Sequence, residues 1–522
     1  MAAIDSKFSS ALQSHYDFVV CGSGSSGSVV ARRLAENPDV SVLLLEAGGA
    51  DDVPSVMNAD DWRLNLGSER DWNYHDTPNP ALNGRAIPLS MGKVLGGGSS
   101  INAMYWVRGH RNDWDFFAAE AGDADWDYES VKQIYRSIED WHGEPDAEYR
   151  GAGGPVYVRP TEIKPVGSAM FAAMRSMGIP VFASLNGSLA ESESGGSKAE
   201  LTNRDGKRKS IFRSYVWPYR GRTNLTVLPH ALVTRLLLEE RQATGVEVLF
   251  AGKLHCVRAE CEVVVSLGAI HTPKLLLQSG IGDEAELKRF AIPVVQHLPG
   301  VGQNFQDHLL LNACLWEYRE PQEGIPAPQV SLFWKSHSML GTPDLQLVQR
   351  EGTAVAPELA SFDAPRDGWR IFPALVRPQS RGFLRLTGPN SSDPIAIQSN
   401  ALQHPGDMKA MIACVELCRE LGNSGAMRPF VKREVIPGPM KRLEIDRFIR
   451  KSAGTFWHQT CTAKMGRDAL SVVDGQLKVY GIDRLRIADG SIFPRVPTGN
   501  TMAPCVVVGE RAAAILRRAY KV

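Results

Sequence analysis

The chain has 522 residues, with 58 basic and 58 acidic side chains, 43% apolar residues and 22% charged ones. A length prior of about 150 residues per domain gives two to four domains with room for a sizeable core, and the composition excludes a disordered or collagen-like chain. Zero net charge removes the basic surface with which a nucleic-acid binder neutralises phosphates. The basic run Lys207–Arg208–Lys209 therefore reads as a solvated loop, and the expected partner is a small molecule.

From the N-terminus, Met1 to His15 mixes polar and charged residues and lacks the apolar core of a secretory signal. No uninterrupted run of about 18 apolar residues occurs, so no membrane span is expected. The eight cysteines show no CxxC spacing, and Cys414 and Cys418 share one face of a helix, so no metal site is signalled. So few cysteines in so long a chain fit a reducing compartment. The expected class is a soluble, cytoplasmic enzyme.

Phe18 to Cys21 is a short apolar run suited to a buried parallel strand. Gly22, Gly24 and Gly27 then give GxGxxG, Ser28 to Glu36 continues as a helix ending before Pro38, and Val40 to Leu45 reads as a second strand ending at Glu46. The first glycine makes the tight turn, the second lets backbone approach a pyrophosphate, and the third lets helix pack on strand. The helix N-terminus offers free N–H groups to the phosphates. Glu46 would accept the ribose hydroxyls and disfavour a 2′-phosphate. Strand, turn, helix, strand and acid in this order predict a dinucleotide site, without separating NAD from FAD.

Two later segments bear on that choice. Gly92 to Met104, followed by Arg108, Gly109 and Trp114, is a glycine-rich, serine-bearing loop whose amides can crowd a phosphate or a flat ring. Within it Val94, Leu95, Ile101 and Met104 suit burial. Gly268 to Gly282 directly follows the strand-like Glu262 to Leu267. Together these resemble the two signature segments of the glucose–methanol–choline (GMC) oxidoreductase family, whose members bind FAD. Asp71–Tyr74 with Leu82–Arg85, Leu298–His308, Ser380–Leu386 with Asp393–Pro394, and Leu485–Pro494 through Thr498–Pro504 to Gly509–Ala513 extend the resemblance over essentially the whole chain.

The resemblance implies an α/β, doubly wound, Rossmann-like FAD-binding domain interleaved with an α+β substrate domain built on an antiparallel sheet. Residues 13–160, 203–315 and 467–522 are expected in the first and 161–202 and 316–466 in the second. Strand-like pieces at Leu225–Leu228, Val263–Leu267 and Leu485–Ala488 agree. Between about 316 and 450 the texture changes: breaks at Pro321, Pro326 and Pro328 precede strand-length runs such as Asp344–Val348 and Phe383–Leu386, then a helical stretch from Pro405 to Leu421. Residues 187–210, rich in Gly, Ser, Lys and Glu, read as a polar surface loop, with a mobile lid as the other reading.

Oxidising an alcohol with a flavin needs a base for the hydroxyl proton. His458 lies in Thr455–Gly466, a stretch that looks like the family's catalytic-histidine motif. It departs from that motif with Gln459 for proline and Cys461 for glycine, which bears on loop shape rather than on the base. The family's partner position, histidine or asparagine, falls at Asn500, an amide that can orient the hydroxyl but not take its proton. A single base, His458, is therefore expected. His308, His271, His110 and His297 read as structural.

Where some members attach FAD covalently through histidine, this chain has Ile101, so non-covalent FAD is expected. The same resemblance puts Asn102 and Ala103 beside the flavin, with Gly92 opening that signature, and Val233 near the adenine. It puts Asp489 by the pyrophosphate–ribityl region, Asn500 to Met502 by the ring and Ser99 on a phosphate. Trp457, Trp106, Tyr105 and Trp334 are aromatic candidates for the pocket wall.

The implied function is oxidation of an alcohol, a primary one, with hydride passing to flavin N5 and O2 or another redox acceptor reoxidising the flavin. The alternative is a hydroxynitrile-lyase-type enzyme in which His458 acts as acid and base without redox turnover; a flavoprotein that only binds a partner is a third. No concentration of acidic residues in 316–450 demands a cation such as choline.

Overall fold

The computed structural model describes residues 12–322, 324–325 and 327–522. The stretch up to residue 11, in which no apolar signal is expected, and Pro326 lie outside the described residues.

In chain order the elements that position the site begin with β1 (His15–Cys21), α1 (Ser25–Leu34), β2 (Val42–Leu45) and β3 (Gly195–Lys198). Next come β4 (Leu225–Leu228), β5 (Leu232–Glu239), β6 (Gln242–Phe250), β7 (Lys253–Val265) and α2 (Gly268–Gln278). They continue as β8 (Leu309–Leu311), β9 (Leu315–Tyr318), β10 (Pro328–Trp334), β11 (Leu345–Glu351), β12 (Gly368–Leu375) and α3 (Pro405–Gly422). The last are β13 (Val431–Ile436), β14 (Ala453–Thr455), β15 (Leu485–Ile487) and α4 (Met502–Tyr520).

The first sheet runs β4-β2-β1-β7-β6-β5, with β15 beside the far half of β7. Its centre is parallel, Val19 opposing Leu43 on one side and Val263 on the other. Phe18–Cys21, Val42–Leu45 and Val263–Val265 are fully buried, which is why these stretches read as unbroken apolar runs rather than alternating ones. Helix α1 starts at Ser25, inside the glycine motif rather than after it. It lies against α4: Ser26 Oγ donates to Cys505 O at 2.6 Å, and Arg33 forks onto the Glu510 carboxylate at 2.9–3.0 Å.

Two of the three motif glycines are required by close backbone approach. A Cβ at Gly22, where φ is +100°, would stand 2.3 Å from Ser266 O, and one at Gly27 would stand 1.9 Å from Gly22 O. Gly24 has open space at the same position.

The second sheet, antiparallel throughout, runs β13-β9-β12-β11-β10-β3, with β8 bridging β12 and β14. Helix α3 backs it, packing the buried Met411, Cys414, Val415 and Cys418 into the sheet's own apolar core. Leu309–Leu311 already belongs to this sheet, ahead of the boundary expected at 315.

Two expectations are corrected. Residues 187–210 are not a surface loop or lid: β3 pairs with β10, and Gly195, Gly196 and Ser197 are buried, because the sheet edge needs that backbone as a partner. Within Lys207–Arg208–Lys209 only Lys207 is solvated; Arg208 is 1% exposed, held by three backbone and side-chain oxygens that replace water. Among the described residues no helix is long and apolar enough to cross a membrane.

Replacing Gly27 with Ala forces a methyl into backbone that cannot move without parting α1 from β1. We expect a loss of at least about 2 kcal/mol, read as a lower melting temperature. An unchanged melt would show that the helix has room to shift.

Candidate active site

A single cavity of about 650 Å³ joins the two sheets. One end is lined by Gly22, Gly24, Ser25, Ser26 and Glu46, the other by His458 and Asn500, with Gly97, Ser99 and Asn102 between. Gly24 is the N-cap of α1 and no side chain bonds across that cap, so the helix's first N–H groups face the cavity. Helix α4 begins in the same way at Thr501, also without a side-chain cap. Two uncapped N-termini give the cavity two places suited to negative charge.

Glu46 sits at the end of β2, accepting from Ser23 Oγ at 2.7 Å, Ser23 N at 3.2 Å and Gly48 N at 2.9 Å. Burial pushes its carboxyl up from the usual range. Val233 on β5 lines the cavity, as do Ala103, Gly92 and Ile101, the last an aliphatic side chain with no atom able to bond to a flavin. Asp489 also lines it and accepts from Gly268 N, Thr272 Oγ1 and Ser491 N at 2.6–2.8 Å, fixing the first turn of α2. Ser99 lines the cavity too, but its hydroxyl and its N–H both donate to Gly96 O, at 2.7 and 3.1 Å. Ser99 therefore braces the loop from the cavity wall.

Asn102 is oriented from behind. Its Oδ1 accepts from Arg208 Nη1 at 2.9 Å and Met104 N at 3.0 Å, and its Nδ2 points at Met502 Sδ. Arg208 also holds Ser99 O, at 3.1 Å. Sequence reasoning missed this residue because a cation in a basic run looks solvated until the fold buries it.

At the other end, His458 follows β14. Its Nε2 stands 3.1 Å from Asn500 Nδ2, and its Nδ1 stands 2.8 Å from His308 Nδ1, the two rings crossing at 86°. Asn500 Oδ1 accepts from Gln346 Nε2 at 3.4 Å, so its Nδ2 is the donor to His458. Nε2 of His458 is then the bare nitrogen and Nδ1 carries the proton, donated to His308. The His308 proton then falls on its own Nε2, on the side of the ring away from His458. Burial holds His458 well below its ordinary pKa, helped by His308, and burial lowers His308 to about 3. Both rings are neutral.

His308 was expected to be merely structural; it touches the expected base. The remaining histidines stay clear of that pair. His110 caps the helix Arg111–Ala121, His297 accepts from Glu284 N at the surface, and His271 packs on Trp72 and bonds Tyr74 along the cavity wall. Tyr105 and Trp457 line the cavity. Trp106 and Trp334 do not: Trp106 is fully buried with Nε1 on Glu139, and Trp334 packs on the second core at the end of β10.

The family model described as GMC oxidoreductase matches residues 16–310 with its N-terminal part and 378–509 with its C-terminal part. The chain is a GMC oxidoreductase. It is 35% identical to mitochondrial choline dehydrogenase of Homo sapiens, covering 96% of this chain and 90% of that one. It is 34% identical to oxygen-dependent choline dehydrogenase of Vibrio vulnificus, covering 97% and 95%. Among solved structures it superposes on pyridoxine 4-oxidase from Mesorbium loti with TM-score 0.90, 30% identity and coverage of 97% and 99%. It superposes on a formate oxidase with TM-score 0.88, 26% identity and coverage of 98% and 100%. This GMC oxidoreductase is thus an FAD-dependent enzyme acting on CH–OH donors. The cavity fits FAD: glycine backbone and an uncapped helix lie beside a buried acid at one end, and the histidine–asparagine pair lies at the other.

Changing Glu46 to Gln should weaken FAD affinity at least about 10-fold, the usual worth of a charged hydrogen bond, read by flavin release on dilution. Full flavin retention would take the ribose role from Glu46. Changing Arg208 to Met should likewise release flavin more readily, by freeing Asn102.

Proposed function

We infer that the enzyme oxidises a primary alcohol to its carbonyl with His458 as the only base, the electrons leaving to O2 or another acceptor. The observation that carries this reading is the bare His458 Nε2 beside Asn500, with its tautomer set by His308. When bound, FAD supplies the hydride acceptor at flavin N5, held by the glycine-motif backbone, Glu46, Val233, Asn102, Asp489 and Met502.

The alcohol oxygen meets Nε2 of His458 and the Asn500 amide N–H. Nε2 takes the hydroxyl proton while Asn500 stabilises charge gathering on the oxygen. His458 cannot pass its Nδ1 proton to the alcohol, because His308 holds it on the far side of the ring. The two groups are 7% and 8% exposed, room that suits an unbranched carbinol. Assignment of residues 13–160, 203–315 and 467–522 to the FAD unit and 161–202 and 316–466 to the substrate unit belongs to the same reading. So does a cytoplasmic setting, on the strength of eight free thiols.

Changing His458 to Ala should lower turnover at least about 10²-fold; retained turnover would assign the base elsewhere. Since His458 is depressed below its ordinary 6.5, its lone pair is available above that depressed value. The acidic limb of kcat/KM should therefore have its midpoint below 6.5, and a limb near 7 or higher would belong to another group. Anaerobic mixing with the alcohol should bleach the flavin band, whereas lyase turnover would leave it oxidised.

A further inference from the structure

Beyond the histidine–asparagine pair the cavity wall is made by β11 and β12. Alternation puts Gln346, Val348 and Arg350 on one face of β11, and the register sets them opposite Ala374, Phe372 and Arg370 of β12. The near end of this ladder touches the reacting groups, since Gln346 bonds Asn500. Its middle is apolar: Val348 and Phe372 line the cavity, joined by Leu310. Its far end is cationic. Four residues of strand put Arg350 about 13 Å from Gln346.

Arg350 and Arg370 stand directly opposite each other, an arrangement of like charges that destabilises a sheet. Arg63 lines the same stretch of cavity. The charge acting on Arg63 is that of Arg350, and the charges acting on Arg370 are those of Arg350 and Arg63. Burial, and after it repulsion, lowers Arg370 to about 9; Arg63 keeps an exposed side, yet partial desolvation and the charge of Arg350 lower it as well. Arg370 is 2% exposed and is held in place through Nη1 by Asn312 Oδ1 at 3.1 Å and the Ala354 carbonyl, while the buried Tyr105 hydroxyl on the cavity wall has no partner. Glu358 pairs with Arg85 at 3.1 Å, and Asp60, which acts on Arg350, is exposed.

Two guanidiniums, Arg63 and Arg350, thus line the cavity beyond its apolar stretch, and the ligand group that suits them is an anion. We propose that the alcohol oxidised here carries a carboxylate, held by Arg350 and Arg63 with Arg370 behind them and joined to the carbinol by an elongated apolar or aromatic spacer. A guanidinium grips a carboxylate through two parallel N–H bonds, and the Tyr105 hydroxyl can add a third. The choline dehydrogenases to which the chain is similar are named for a cationic alcohol, which these arginines repel. The proposal rests on His458 and Asn500 marking the reacting end.

The test uses the FAD-loaded enzyme and three alcohols of one skeleton, a hydroxymethyl-biphenyl bearing a carboxylate, its methyl ester, or a trimethylammonium group. The carboxylate should have a kcat/KM at least about 10²-fold above both others. Arg350→Met should shrink that preference to less than about threefold. So should Arg63→Met, whose exposed position spares the fold, and KM for the carboxylate should rise in both variants. An equal or better kcat/KM for the ester or the ammonium compound, or an unchanged carboxylate KM in both variants, overturns the proposal. Binding is read separately by flavin difference spectra with the unreactive biphenyl dicarboxylate. If no alcohol bleaches the flavin yet this dianion binds and Arg63→Met abolishes its binding, the reading of His458 fails while the anion site stands. No binding of the dianion overturns the site itself.

Discussion

The active-site geometry depends on one stretch of backbone pairing, between residues 305–308 and 455–461. Thr460 N donates to Gln306 O at 2.9 Å, Gln306 N returns the bond at 3.2 Å, and Phe456 N donates to His308 O at 2.9 Å. Between the two stretches lies the half-buried Asp307, whose carboxyl accepts the His458 N–H at 2.8 Å and the Thr455 hydroxyl, and which desolvation pushes up to about 7. This pairing brings together histidines 150 positions apart and gives the base a defined tautomer. It carries a conformational cost, because Trp457 and Cys461 take the left-handed region, at φ +60° and +77°.

What the chain reveals before folding is what is local. The GxGxxG turn, the acid at the end of β2 and the histidine stretch are each set by neighbours within about twenty residues, and each lies on the cavity. Cys461 shows how a departure from pattern can be read. Where the family motif has glycine, this chain places a cysteine in the left-handed region, a conformation that glycine takes without strain and a cysteine does not.

What stays hidden depends on burial by distant segments. His308 was visible as part of a loop, but nothing in its neighbourhood shows that it meets His458. Arg208 and β3 look solvated because their composition is polar, and they are buried because the fold supplies oxygens for the one and strand β10 for the other. Trp106 erred in the opposite direction: an aromatic next to a functional loop pointed into the core, where Glu139 satisfies its N–H.

The cavity also divides its charge between two kinds of donor. At the glycine-rich end the groups suited to phosphate are backbone N–H groups at the uncapped N-terminus of α1; the cationic side chains that line the cavity are Arg63, Arg85 and Arg350. Backbone dipoles can serve a pyrophosphate because glycine allows close approach and the donors cannot be displaced. Arginine is thereby left to the opposite end, where Arg350 and Arg370 oppose each other across a sheet that a neutral pair would stabilise better. A local rule broken at a cost, on the strand face that runs from the reacting groups to the far end of the pocket, is what a site shaped for a ligand rather than for stability leaves in a fold.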